Sequence, residues 1–318
     1  MELQTKVEIP KYDFKINYKD KCMFIGSCFA ENIGEKFLKS KIPTVINPTG
    51  IHYNPMSILN SLEKIVNNQE INEEDLFFAN GRWNHDDFHS KFSDITEEKT
   101  LNKINSAIET THIFLQKTDY LFITFGTAIV FKRKNNNNIV SNCHKQDAKI
   151  FDRYLLKYTE MIDKWEILIE KIMKFNPNLK IIFTVSPIRH VKNGAIENMR
   201  SKATLILLIN ELLINEILEM RKHENLFYFP VYEVVNDELR DYRFYADDMQ
   251  HISDFAIKYI WEIFQENFFN KKTIKYITEI TKINLALEHK AFNPESAEYQ
   301  AFHNKINEKL KDFENEYL

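Results

Sequence analysis

The chain has 318 residues, 44% of them hydrophobic and 13% aromatic, enough to bury a large core as one enlarged domain or one domain with a tail. Its formal charge of −4, with lysines interleaved among glutamates, offers no basic footprint for nucleic acid. No basic stretch followed by an apolar one opens the chain and no window reaches transmembrane length, so it reads as a cytoplasmic protein with neither membrane nor nucleic acid among its partners.

The first strand candidate is Cys22 to Ile25, and it stops at Gly26-Ser27-Cys28-Phe29-Ala30, where a helical pattern begins that runs to about Ser40. Such a strand–helix turn leaves a serine hydroxyl at the carboxyl edge of a sheet, among the free N–H groups of a helix N-terminus. Further strands are expected at Thr44 to Ile46, Tyr120 to Phe125, Lys180 to Val185 and Leu226 to Val231. Helices are expected over Ser57 to Asn67, Thr100 to Gln116, Tyr154 to Phe175 and Ile196 to His223. Asn135 to Asn138 read as the tip of a hairpin or loop between Ile129-Val130-Phe131 and Ile139-Val140. From Ser253 onward the pattern is almost continuous helix, broken at Phe292-Asn293-Pro294.

This alternation predicts a three-layer α/β/α sandwich around a parallel sheet of about five strands. We expect residues 1–270 to form that domain and residues 271–318 a C-terminal helical extension packed on it. Ligands of such sheets bind at the carboxyl ends of the strands, where Ser27, Gly126 and Ser186 fall. Cys22, Cys28 and Cys143 form no Cys-x-x-Cys pair, so neither a disulfide framework nor a zinc ribbon is indicated, and no metal or other cofactor is expected.

A serine nucleophile needs a base. His251, in Asp248-Met249-Gln250-His251, follows the last predicted strand and precedes the helix near Ser253, which places it at the same sheet edge as Ser27. Asp248, three residues earlier, can accept from one ring nitrogen and leave the other facing the serine. Asp86-Asp87-Phe88-His89 repeats the pattern but lies in an excursion between the second and third strands.

The pentapeptide at 26–30 closely resembles the signature of the GSCFA family, which is similar to the SGNH (GDSL-type) serine hydrolases. Segments at Trp83 to Ser90, Asn142 to Lys145, Thr184 to His190 and Phe244 to His251 also look like that family, over roughly residues 20 to 255. The resemblance implies an SGNH-like fold, a closing Asp-x-x-His motif, and an oxyanion hole built from N–H groups at Ser27 and Cys28, from Gly50, and from an asparagine after the third strand. Ala128 stands where that asparagine belongs, so either Asn142 or His144 replaces it or the hole is weaker. Trp83, His89, His144, Arg189 and His190 are the expected substrate contacts. The implied activity is that of a serine esterase on a small acyl ester, a carbohydrate O-acetyl group being the favoured class. The alternatives are an O-acyltransferase using the same serine, a non-catalytic glycan-binding module, and a metal-dependent hydrolase built on His85 and His89. The sequence does not settle the oligomeric state.

Overall fold

The computed structural model describes residues 4–218, 225–289, 292–293 and 295–317. Its centre is a five-stranded sheet of β1 (Cys22–Gly26), β2 (Thr44–Ile46), β5 (Tyr120–Phe125), β9 (Lys180–Val185) and β10 (Leu226–Tyr228), in the order β10-β9-β5-β1-β2. Every neighbouring pair is parallel. Two small antiparallel additions flank it: a hairpin of β3 (Phe77–Ala79) and β4 (Arg82–Asn84), and a ribbon of β6 (Ile129–Arg133), β7 (Ile139–Val140) and β8 (Phe151–Leu155).

Side chains alternate across the central strands, so β1, β5 and β9 each feed two cores. Cys22 and Phe24 of β1, Phe122 of β5 and Ile182 of β9 face α1 (Cys28–Lys39). Met23, Ile25, Leu121, Ile123, Ile181 and Phe183 face α2 (Pro55–Val66), α4 (Ile162–Phe175) and α5 (Ala195–Leu218). A third, smaller core lies under the excursion, where Phe88 and Phe92 pack with Ile104 and Ile108 of α3 (Glu97–Leu115). The short α6 (Val231–Glu233) follows β10, and α7 (Asp254–Phe268), α8 (Lys271–Leu287) and α9 (Ala297–Tyr317) close the chain against the α1 face. The result is the expected three-layer α/β/α sandwich with C-terminal helices.

Three expected elements differ. Tyr154 belongs to β8 and α4 starts only at Ile162, because Phe151–Leu155 pairs antiparallel with β6 instead of opening a helix. The last strand ends at Tyr228, since Pro230 caps α6 and stops the ladder. The long terminal helix is cut at Phe269 and Asn270, where the Asn270 side chain accepts from Thr273 N–H and starts α8. The expected helix of residues 196–223 is seen to Leu218; residues 219–223 and Pro294 lie outside the described residues. No described helix is long and apolar enough to cross a membrane.

The strand order reverses direction between β1 and β5, since the chain goes from β1 outward to β2 and then back past β1 to β5. Crevices form at the carboxyl ends of strands at such a reversal. Ser27 and Gly126 are the residues that follow these two strands.

Candidate active site

The turn at Ser27 is held from several sides. Gly26 has φ +137, and a Cβ there would fall 2.1 Å from the Thr124 carbonyl oxygen, so only glycine lets β1 close on β5 at this point. Its N–H donates to Asn47 Oδ1 at 2.9 Å and its carbonyl accepts from His52 N–H at 3.0 Å. Ser27 then caps α1, its Oγ accepting from Phe29 N–H at 3.3 Å, with Glu31 in the first turn and Lys36 and Lys39 in the last.

The Asp248 and His251 side chains meet. Asp248 Oδ2 lies 2.6 Å from His251 Nδ1, while Oδ1 accepts from the N–H groups of Gln250 and His251 at 2.9 Å each. These three bonds, the imidazole first, hold the exposed Asp248 carboxyl down to about 2. Because Nδ1–H is what the carboxylate binds, Nε2 is left as the acceptor. The loop is locked by Ala246 N–H on the His251 carbonyl and by Arg189, whose N–H reaches Gln250 O at 3.0 Å and whose guanidinium reaches Met249 O at 3.3 Å.

Ser27, Cys28, His89, Asn142, Arg189, His190 and His251 line one cleft of about 510 Å³ at the carboxyl edge of the sheet. Ser27 is only 1% exposed, at its floor. Its hydroxyl oxygen accepts from Phe29 N–H and is not bonded to His251 among the described residues. Catalytic hydrogen bonds are often loose in a free enzyme and tighten in the complex. The competing Asp86-Asp87-Phe88-His89 copy makes no such pair. Asp86 is held bidentately by Arg133 at 2.5 and 2.6 Å, and His89 Nδ1 accepts from Lys91 N–H at 3.2 Å.

The oxyanion donors fall out differently from expectation. Gly50 N–H is committed to Asn47 O at 2.9 Å; the residue is glycine because its φ is +101 and a Cβ would sit 2.1 Å from His89 Cβ. Ser27 N–H donates to Thr124 O at 3.3 Å. Cys28 N–H, in the first turn of α1, has no acceptor among the described residues and is the backbone donor left beside Ser27. Asn142 spends its side chain on Ser90 Oγ at 3.1 Å and on His144 N–H at 2.8 Å. Ala128 is fully buried, its N–H on Ser201 Oγ, and no side-chain donor arises there.

Two expected substrate contacts lie away from the cleft walls. Trp83 packs edge-on against its cross-strand partner Phe78, 5.6 Å between centroids, within the β3–β4 hairpin. His144 is 5% exposed and bridges Ser90 Oγ and the His85 carbonyl, a buried structural role, and burial pushes its pKa down. His85 and His89 do not stand one helical turn apart, because Asp86 to Phe88 form turns. His85 Nδ1 is taken by Asp87 N–H at 3.0 Å and its ring packs on Phe88. Among the described residues no group of three His, Cys, Asp or Glu is placed to hold a metal ion.

Sequence reasoning missed Asn47, Tyr53 and Lys202. Tyr53 lines the cleft, its hydroxyl 3.7 Å from Cys28 Sγ, and burial raises its pKa to about 12. Lys202 is fully buried, its Nζ 2.6 Å from both the Gly126 and Ser186 carbonyls. A lysine immediately ahead of the most apolar stretch of α5, residues 203–218, is the available signal.

An α/β protein with a buried serine at a strand–helix turn, in one cleft with a carboxylate–imidazole pair, is the class these features define. The particular family follows from comparison: the chain belongs to the GSCFA family, whose model matches residues 21–264. A second model, described as GSCFA domain protein, C-terminal domain, matches residues 280–318. No curated protein matches the chain.

Proposed function

We propose that this protein is a serine-dependent acyl-ester hydrolase, with Ser27 as nucleophile, His251 as general base and Asp248 as the carboxylate that orients it. The observation that carries this is the shared cleft: Ser27 at its floor and the bonded Asp248–His251 pair at its edge. In the first step Ser27 Oγ bonds to the acyl carbon while its proton passes to His251 Nε2, and the carbonyl π electrons move to oxygen. Cys28 N–H, at the positive end of α1, donates to that oxygen. Collapse restores the carbonyl and expels the alcohol, which takes the proton from His251. Water, activated by the same imidazole, then releases the acid.

The favoured substrate class is a small acyl ester on a carbohydrate hydroxyl. A second cleft of about 460 Å³ shares Arg189 with the first, and Tyr232, Tyr242 and Tyr245 line it. Tyrosine faces beside a guanidinium suit the apolar face and hydroxyls of a sugar ring. An acyltransferase would use the same acyl-serine with a sugar hydroxyl in place of water.

The test is intact-mass analysis after incubation with a fluorophosphonate and with a p-nitrophenyl ester. We expect a covalent adduct on the wild type, none on Ser27→Ala, and slowed labelling on His251→Ala. A folded wild type without adduct would sink the serine reading.

A further inference from the structure

The reaction above has one backbone donor for its developing oxyanion, and acyl transfer at serine needs more than one such group to run well. A second donor stands in the cleft wall. His190 follows β9, and its backbone N–H is pinned to Asn198 Oδ1 at 2.8 Å. From there its ring reaches across the end of β5 and packs edge-on against Tyr53, 5.7 Å between centroids. This carries the imidazole over Gly126, beside Ser27.

Gly126 shows what that space is for. Its backbone has an ordinary conformation, so no positive φ demands a glycine there. A Cβ on it would lie 2.9 Å from the Tyr53 carbonyl oxygen, 3.3 Å from Ser27 Cβ and 3.4 Å from His190 Nε2. The absent methyl group leaves Ser27 and His190 facing one small volume. His190 Nε2 is buried there with no hydrogen-bond partner among the described residues. A buried polar atom left unpaired carries a cost, and it points to a group that arrives only with the substrate.

We infer that His190 Nε2–H donates to the oxygen of the tetrahedral intermediate formed on Ser27, supplying the side-chain donor that Ala128 cannot. The inference rests on the serine-hydrolase reading. As Ser27 Oγ bonds to the acyl carbon and its proton goes to His251, charge collects on the former carbonyl oxygen. His190 shares its Nε2 proton with that oxygen, keeps it throughout, and is released when the carbonyl re-forms. Burial, with Lys202 and His251 nearby, lowers the His190 pKa to about 4, so the ring is a neutral donor at neutral pH. A neutral donor does not compete with His251 for the serine proton.

The experiment compares wild type, His190→Ala and His190→Gln on p-nitrophenyl acetate and in fluorophosphonate labelling, with circular dichroism to confirm folding. We expect His190→Ala to lose roughly 10²–10³-fold in kcat with KM within about threefold, and to label more slowly by a similar factor. The glutamine amide should restore at least a tenth of the lost rate, and the acid limb of the kcat/KM pH profile should not move. A folded His190→Ala within threefold of wild type overturns the inference. So does a folded His190→Gln with no recovery. If the acid limb vanishes in His190→Ala and survives in His251→Ala, His190 is the base and the inference falls. A wild type that never labels removes the serine reading and this inference with it, whereas labelling with an indifferent His190 removes only the latter.

Discussion

Lys202 Nζ lies 2.6 Å from the carbonyl oxygen of Gly126, the residue whose missing side chain leaves Ser27 and His190 facing each other, and 2.6 Å from that of Ser186. One buried ammonium thus ties the carboxyl ends of β5 and β9. Burial pushes its pKa down to about 7. Lys202→Met leaves both carbonyls without this donor, at about 2–4 kcal/mol in urea unfolding. Between about pH 7 and 10.5 the unfolded chain holds a proton on Lys202 that the folded chain releases, so wild-type stability rises with pH over that window. Unfolding midpoints at pH 7 and pH 9 should show that rise in the wild type and its loss in the variant.

Asp248→Asn tests the carboxylate we propose to orient His251. The asparagine keeps the size of the side chain, but its amide can present a donor to Nδ1 and favour the wrong tautomer. We expect kcat on a p-nitrophenyl ester to fall on the order of 10²–10⁴-fold, with the unfolding midpoint unchanged because the pair is solvent-exposed. Wild-type Asp248 stays ionised down to about pH 2. Any loss of wild-type activity between pH 4 and 7 therefore reports on an imidazole and not on this carboxylate.

The contrast between what could and could not be read from the chain follows from the range of the interactions. Ser27, the Asp248–His251 spacing and the five parallel strands are local patterns: apolar runs, a cap, an Asx turn. Tyr154 reads as the start of a helix because the pairing of Phe151–Leu155 with Ile129–Arg133 spans a long excursion. The β3–β4 hairpin was also missed, although Asn80-Gly81, with φ of 52 and 76, is a strong turn signal. Gly50 looked like a donor because its position in the chain fits; only the fold shows its N–H spent on Asn47. Lys202 and His190 depend on contacts that no single segment encodes.

His52 is fully buried, its Nε2 2.7 Å from Thr49 Oγ1, and burial lowers its pKa from 6.5 to about 4. His190 shifts the same way. For a histidine with a lowered folded pKa, the unfolded chain takes up a proton first as pH falls. Stability is therefore whole above 6.5 and lost on the way down to about 4, by up to about 1.4 kcal/mol per pH unit for each such group. Urea midpoints at pH 7, 5.5 and 4.5 should fall steeply in the wild type and less steeply in His52→Gln. Parallel slopes in the two proteins would show that His52 does not carry the effect.

The C-terminal helices share their core with the sheet domain. Tyr276 of α8 is fully buried, stacked on Tyr18 at 4.4 Å and packed on Phe313 and Tyr317 of α9 at 4.8 and 5.1 Å. Thr273 Oγ1 accepts from Tyr18 N–H and donates to Ile16 O, and Asn284 Nδ2 reaches Lys39 O at the end of α1. Removing residues 271–318 uncovers Tyr18 and takes Tyr276, Ile277, Ile280, Phe313 and Tyr317 out of the shared core, leaving an apolar patch of the kind that drives aggregation. We expect the 1–270 fragment to be insoluble or to bind 8-anilinonaphthalene-1-sulfonate strongly. The milder Tyr276→Ala should stay folded but lose about 3–5 kcal/mol, because it empties a site walled by three aromatic rings. Ester hydrolysis per folded molecule should be unchanged in that variant, since Tyr276 does not line the cleft of Ser27. A soluble, cooperatively unfolding 1–270 fragment with full activity would show instead that the sheet domain closes its core without these helices.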